Sequence, residues 1–409
     1  MKQTMELHKR WKDDPSKGEV FTPIELVREM LDKIPLSVWE NPDSLFLDPC
    51  VGKGTFLIEI INRLVYIYGY SKEDAISRVY GYDVCVKYIN YLKRGGLKNV
   101  FHKDFLNEEF NMKFDVVVGN PPYQSTETVR NINGGTNKKL WMSFLNKAIL
   151  LTKEGGYVAM LVPTTWAAGA KNPHTNENIF QDIIKTKKII NINMDEGKFF
   201  NVGIGISSLV FQNIDLKQNT IKLQGRDFEI SEYSMLPKNV DDITLSIFNK
   251  IRNFQKMKFE FVRKSFKNDE LSNSRTQEYP NPTYVGKNGI KYVNSFTKFD
   301  NMPKLLVHRM SFGSGGIQVL LDNEGTITPN YSNVYLLDGD DDGQYLKKIM
   351  ESKLYNFLFQ NLKYTQYNEA RALSHLPKLP QNIDYSNEMI YSVFSLTNEE
   401  ISFIESNVA

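Results

Sequence analysis

Cysteine is scarce, with only Cys50 and Cys85 in 409 residues. Two thiols supply neither a disulfide framework nor the ligand spacing of a structural zinc site. A cytoplasmic protein without a metal is therefore expected. Long apolar runs are also missing. None approaches the ~18–20 residues of a membrane-spanning helix. The polar start Met1-Lys2-Gln3-Thr4 has no apolar stretch of a secretory signal behind it, so no membrane partner is expected. Nor is there an excess of one charge: 50 Lys and Arg against 48 Asp and Glu leave a net +2. Nucleic-acid binding would thus have to come from a local patch. No internal repeat is seen. What remains is an ordinary globular composition, 41% hydrophobic and 24% charged, in a chain long enough for two or three domains of roughly 100–200 residues.

Up to about residue 212, β-rich runs alternate with helical patterns. Strands are expected at Leu45–Asp48, Val79–Asp83, Asn99–Phe101, Phe114–Gly119, Tyr157–Pro163, Ile189–Asn193 and Ile206–Phe211. Helices are expected at Thr55–Leu64, Val84–Lys93, Leu140–Leu151 and Asn178–Lys187. Such alternation predicts an α/β fold with a mostly parallel sheet covered on both faces. From about residue 240 the alternation stops, and the boundary is placed after Pro237. The basic run Lys250–Lys267 interleaves Lys250, Arg252, Lys256, Lys258, Arg263, Lys264 and Lys267 with phenylalanines. It reads either as a phosphate-following segment or as a solvated helix with an apolar side. The acidic turn Asp338–Gly343 reads as a solvated loop.

Asp48-Pro49-Cys50-Val51-Gly52-Lys53-Gly54-Thr55 joins a strand to a helix. It departs from both phosphate-binding patterns. A dinucleotide fingerprint needs a third glycine where Leu57 stands, and a Walker A loop needs Ser or Thr where Gly54 stands. Asp48, Asp83 and Asp104 each follow a successive strand. In a parallel sheet they converge on the crevice at the strands' carboxyl ends. Without a phosphate cradle, the ligand should carry amines, hydroxyls and positive charge. S-adenosyl-L-methionine fits: Asp48 near the methionine end, Asp83 on the ribose diol, Asp104 on the adenine amine and Phe105 against its ring. Gly52 allows close approach of the ligand, and Cys50 is a small residue beside it.

The fourth strand runs into Asn120-Pro121-Pro122-Tyr123. Two prolines cannot continue a central strand, so they hold a rigid loop beside the same crevice. Its chemistry suits methylation of an aromatic amine. The Asn120 side-chain oxygen and the Pro121 carbonyl can accept both N–H groups and make the nitrogen more tetrahedral, while Tyr123 offers a stacking face. Attack through a cysteine on cytosine C5 is disfavoured, because neither cysteine lies in this loop.

These motifs resemble the gamma-class DNA adenine-N6 methyltransferases of restriction–modification systems. The resemblance runs through Val20-Phe21-Thr22-Pro23, Asp48–Phe56, Asp83, Asp104-Phe105, Asn120–Tyr123, Gly155–Pro163 and Thr165-Trp166. Cys50 stands where the family more often has a still smaller residue such as alanine. The resemblance implies a doubly wound, Rossmann-like methyltransferase domain over residues 1–237 and a mixed α+β target-recognition domain over 238–409. It implies that Phe21 and Thr22 close over the methionine end of the cofactor. Independently, Thr22-Pro23-Ile24-Glu25 has the form of a capping box with proline at the first helical position.

A base inside a duplex must flip out before its amine can react. The family places a second aromatic before a later strand, which points to Phe200, with Phe199 as the alternative. Lys304, His308, Arg309 and Arg371 are candidate DNA contacts, and the polar loop Gln124–Lys139 is a candidate mobile segment near the flipped base. The expected function is transfer of a methyl group from S-adenosylmethionine to adenine N6 in double-stranded DNA by a monomer, alongside a cognate restriction endonuclease. The alternatives are cytosine N4, RNA or protein glutamine as acceptor, and a non-catalytic DNA-specificity module.

Overall fold

The computed structural model describes residues 21–123, 140–169, 178–200, 204–217, 220–223, 225–230, 233–262, 268–284, 290–294, 299, 302–308, 316–322, 331–338, 343–364, 370–381 and 383–408. Val20, Arg309 and the loop 124–139 lie outside these residues. So do parts of the basic run (263–267) and of the acidic turn (339–342). Backbone contacts divide the chain into two compact units, Met1–Met235 and Leu236–Ala409.

The first unit is built on one sheet with the strand order β3-β2-β1-β4-β5-β7-β6-β8-β9. The strands are β1 (Phe46–Asp48), β2 (Val79–Asp83), β3 (Val100–His102), β4 (Phe114–Gly119), β5 (Thr152–Pro163), β6 (Lys187–Asn193), β7 (Ile206–Asp215), β8 (Thr220–Leu223) and β9 (Arg226–Glu229). Strands β1 to β5 pair in parallel. β7 inserts antiparallel between β5 and β6. The parallel half follows from its residues: Val116, Val117 and Val118 of β4 are fully buried on both sheet faces. Each such side chain contributes roughly 1.5–3 kcal/mol.

The helices α1 (Ile24–Leu31), α2 (Thr55–Tyr66), α3 (Val86–Arg94) and α4 (Leu140–Leu151) accompany these strands. α2 enters through a tight turn in which Gly54 has φ 84°. A Cβ there would lie 2.5 Å from Leu92, so only glycine suits the position. Two expectations are corrected. Asn178–Lys187 is not an α-helix; it makes one π turn over Phe180–Ile184. Thr22 makes no capping box, since α1 starts at Ile24 with Pro23 as its N-cap and no side-chain cap bond. The Thr22 hydroxyl is engaged elsewhere.

The second unit carries a four-stranded antiparallel sheet of order β10-β15-β13-β14 and a separate pair, β11–β12. These strands are β10 (Glu260–Phe261), β11 (Asn281–Tyr284), β12 (Ile290–Val293), β13 (Lys304–Val307), β14 (Val319–Asp322) and β15 (Asn333–Leu336). Its longer helices are α5 (Asp242–Ile251), α6 (Gln344–Glu351), α7 (Lys353–Leu362) and α8 (Asn398–Asn407). The basic run is not one helix: α5 ends at Ile251, Lys256 makes an isolated β-bridge with Pro377, and Glu260–Phe261 form β10. Lys304 is corrected as a DNA contact. Its side chain is fully buried, with Nζ 3.2 Å from the Asp322 carboxylate and bonded to the carbonyls of Phe299 and Met302.

Candidate active site

Chain order in the sheet runs outward from β1 to β3 and then crosses back to β4, so a crevice opens where β1 meets β4. A cleft of about 270 Å³ lies at the carboxyl ends of these strands, lined by Phe21, Cys50, Gly52, Asp83, Asp104, Phe105, Asn120, Pro121 and Tyr123 among others. Its volume is near the lower end of the ~300–1,000 Å³ common for small-molecule sites.

The acidic residues are held by backbone amides. Asp83 accepts hydrogen bonds from the N–H of Gly52 at 2.8 Å and of Cys85 at 2.7 Å. It thereby ties the glycine-rich turn to the end of β2. Asp104 caps a short turn through the Leu106 N–H at 3.0 Å. Asp48 differs from both: it is 2% exposed, accepts from the Cys50 N–H at 3.0 Å, and lies outside the residues that line the cleft. Burial raises its pKa to about 7; the Cys50 amide bond pulls back, and the Asp83 charge adds to the rise. Asp48 can therefore influence a ligand through its charge and its hold on the turn. The Cys50 thiol is pushed well up by burial and then by Asp48 and Asp83. It stays protonated at neutral pH and is a poor nucleophile.

Asn120 sits at the centre. Its Nδ2 donates to the Thr22 hydroxyl at 3.3 Å, and its Oδ1 accepts from the Tyr123 hydroxyl at 3.0 Å. Thr22 is thus a partner of Asn120 and is not among the residues lining the cleft. The two bonds orient the amide with its oxygen toward Tyr123. Burial raises the Tyr123 phenol far above its ordinary pKa, so it remains a donor. Phe105 is buried and stacks on Phe144 with ring centroids 5.5 Å apart. Phe21 packs edge-on to Tyr88 at 5.8 Å, and the Lys53 ammonium lies 3.3 Å from its ring centre.

Phe199 and Phe200 are both half-buried and pack on the same apolar cluster as Tyr123; neither lines the cleft. Lys198 lies over the Phe199 ring at 5.4 Å. In the second unit, His308 is half-buried and edge-on to Tyr331 at 5.0 Å, and Arg371 is half-buried on a short helix. Sequence reasoning missed Cys85, Tyr88, Lys103, Pro122 and Phe144 in the cleft wall. Tyr88 carried no signal of its own, because it falls in the apolar stripe of α3 with Ile89 and Leu92.

An open α/β sheet with this order and this crevice is a Rossmann-like fold. Two solved structures share the architecture. One is the Type ISP restriction-modification enzyme LlaGI in complex with a DNA substrate mimic, with TM-score 0.54 and 11% identity, covering 85% of this chain and 45% of that one. The other is a DrdV–DNA complex, with TM-score 0.51 and 13% identity, covering 78% and 49%. Residues 57–200 match the family model described as Eco57I restriction-modification methylase. The match takes in Asp83, Asp104, Asn120–Tyr123 and Phe200. A Mycoplasma pneumoniae protein named as an uncharacterized adenine-specific methylase is 24% identical over 49% of this chain and 68% of its own length. The modification methylase CviBIII of Paramecium bursaria Chlorella virus NC1A is 28% identical over 49% and 52%. The chain spans about half or less of three of the four curated relatives it matches.

The lining of the cleft fits S-adenosylmethionine. Asp83 and Asp104 offer carboxylate acceptors for hydroxyl and amine groups. Phe21 and Phe105 offer aromatic surface, and Gly52 leaves room against the backbone. No helix among the described residues is long and apolar enough to cross a membrane. No cluster of metal-ligating side chains occurs among the described residues.

Proposed function

We propose that this protein transfers a methyl group from S-adenosylmethionine to the N6 amine of an adenine flipped out of double-stranded DNA, within a restriction–modification system and alongside a cognate nuclease. The observation that carries this reading is the Asn120 amide at the end of β4, oriented by Thr22 and opening on the same cleft as Asp83 and Asp104. When bound, the cofactor supplies an electrophilic methyl on a sulfonium.

The chain's own residues do the rest. Asp83 and Asp104 hold the donor's ribose and adenine. Oδ1 of Asn120 and the carbonyl of Pro121 accept the two N–H groups of the target amine. The nitrogen lone pair then turns toward the methyl without any protein group ionising, and the proton that the methylated amine sheds passes to water. Oδ1 has two lone pairs, so it can keep the Tyr123 bond while it receives the amine or exchange one for the other. Tyr123 presents the ring on which the base stacks, at roughly 1–3 kcal/mol, against an extrusion cost of a few kcal/mol. Phe200 supplies the second face, with Phe199 as the alternative. The protonated Cys50 thiol favours an amine acceptor over cytosine C5.

The test incubates the protein with tritiated S-adenosylmethionine and mixed-sequence duplex DNA, then digests the DNA to nucleosides. Label in N6-methyladenine is the expected result. Label in N4-methylcytosine, RNA or a polypeptide instead would move the reading to that acceptor. No cofactor binding by calorimetry would refute it entirely.

A further inference from the structure

The second unit holds a basic cavity of about 360 Å³ that the active site does not use, lined by Lys256, Lys258, Lys378, Gln255, Glu260 and Tyr335, among others. Its construction is regular. The Met257 N–H donates to the Leu376 carbonyl at 2.9 Å, and the Lys378 N–H donates to the Gln255 carbonyl at 2.6 Å. Lys256 and Pro377 form an antiparallel bridge. Residues 255–257 are thus a short ribbon zipped antiparallel to residues 376–378, and the Phe259 N–H donates to the Ser374 hydroxyl at 2.9 Å. Side chains alternate along it: Met257 and Phe259 are buried, whereas Lys256 and Lys258 take the opposite face.

Two of the three cations there have no carboxylate partner among the described residues. Lys378 pairs with Asp338 at 3.0 Å. Lys256 donates to the Ile251 carbonyl, and it has no carboxylate partner among the described residues. Burial alone draws its pKa down to about 8. Lys258 is exposed and likewise has no carboxylate partner among the described residues. Three lysines against Glu260 and Asp338 leave a net positive wall, 3 − 2 = +1. An anion would supply the charge and acceptors that Lys256 lacks.

We propose that Lys256, Lys258 and Lys378 form a cradle for the sugar–phosphate backbone of duplex DNA. The cradle would position DNA without reading its sequence. This rests on the DNA-methyltransferase reading above. It would give DNA affinity to a chain of nearly neutral charge by concentrating cations on one ribbon, and buried Lys304 plays no part in it.

The experiment measures binding of the full chain to mixed-sequence duplex DNA over a range of salt, for wild type, Lys256→Gln/Lys258→Gln and Lys256→Arg/Lys258→Arg. Losing two phosphate contacts should lower the slope of log K against log salt by about 1.8, at ~0.9 per contact. It should raise KM for DNA and leave the cofactor Kd at the wild-type value. The arginine pair should restore the slope. If wild type binds and methylates DNA but the glutamine pair keeps the full slope, the cradle is refuted and the methyltransferase reading stands. If the glutamine pair also loses cofactor binding and the arginine pair does not restore DNA binding, the lysines serve the fold and the cradle is again refuted. If wild type binds no DNA at any salt, both readings fail.

Discussion

Asp48 should make the first unit's stability depend on pH in a way no surface carboxylate would. It is 2% exposed, and burial, tempered by the Cys50 amide bond and reinforced by Asp83, brings its pKa from 3.8 to about 7. At 1.36 kcal/mol per pH unit, that difference is roughly 4 kcal/mol. The sign follows from proton binding. Between about pH 4 and 7 the folded state keeps a proton that the unfolded chain has released. The stability is therefore fully present below pH 4, falls as pH rises toward 7, and is flat above. Asp48→Asn keeps the shape and removes the proton. The gap between wild type and variant should narrow by roughly 2 kcal/mol from pH 5 to pH 7 and change little beyond it. The assay is urea unfolding followed by tryptophan fluorescence. It reports the first unit alone, because Trp11, Trp39, Trp141 and Trp166 all precede residue 236. Parallel stability curves for the two proteins across that range would refute the argument. A cationic cofactor near Asp48 should favour its ionised form, so cofactor Kd should fall as pH rises, by up to about tenfold per unit below pH 7.

Asn120→Ala removes the oriented amide oxygen and should lower kcat by ~10²–10³ with cofactor Kd nearly unchanged; turnover near wild type would end the acceptor role. Asp83→Asn leaves the side chain in place but cannot accept both amide bonds and a ribose hydroxyl as a carboxylate does. Losing a charged hydrogen bond of about 1.5–3 kcal/mol should raise cofactor Kd roughly 10–100-fold by calorimetry, and an unchanged Kd would count against the ribose assignment. Lys304→Met leaves Asp322 buried without its cation and should cost ~3–5 kcal/mol, read as faster proteolysis of residues 236–409. A fully stable variant that simply bound DNA less tightly would return Lys304 to the surface contacts.

The parts of the chain governed by local pattern could be read from the sequence. β2 and β4 run over the residues expected, Val79–Asp83 and Phe114–Gly119, because valines and aromatics ending in Asp or Gly-Asn-Pro favour a strand that stops there. α4 likewise spans Leu140–Leu151 as its apolar content predicts. The order of acidic residues after successive strands, and the Asn120–Tyr123 loop behind the fourth, needed only strand alternation to be placed at one sheet edge.

Side-chain partnership was decided by the fold. Thr22 has the local form of a helix cap, yet its hydroxyl bonds Asn120, 98 residues away. Lys304 reads as a surface cation until Asp322 from the neighbouring strand is brought against it. Lys256 and Lys378 meet only because residues 255–257 zip to 376–378. A sequence carries the period of a strand and the chemistry of a loop. Which distant atom comes within 3 Å of a polar group is determined only when the chain is folded, and that distance decides burial, charge and pKa.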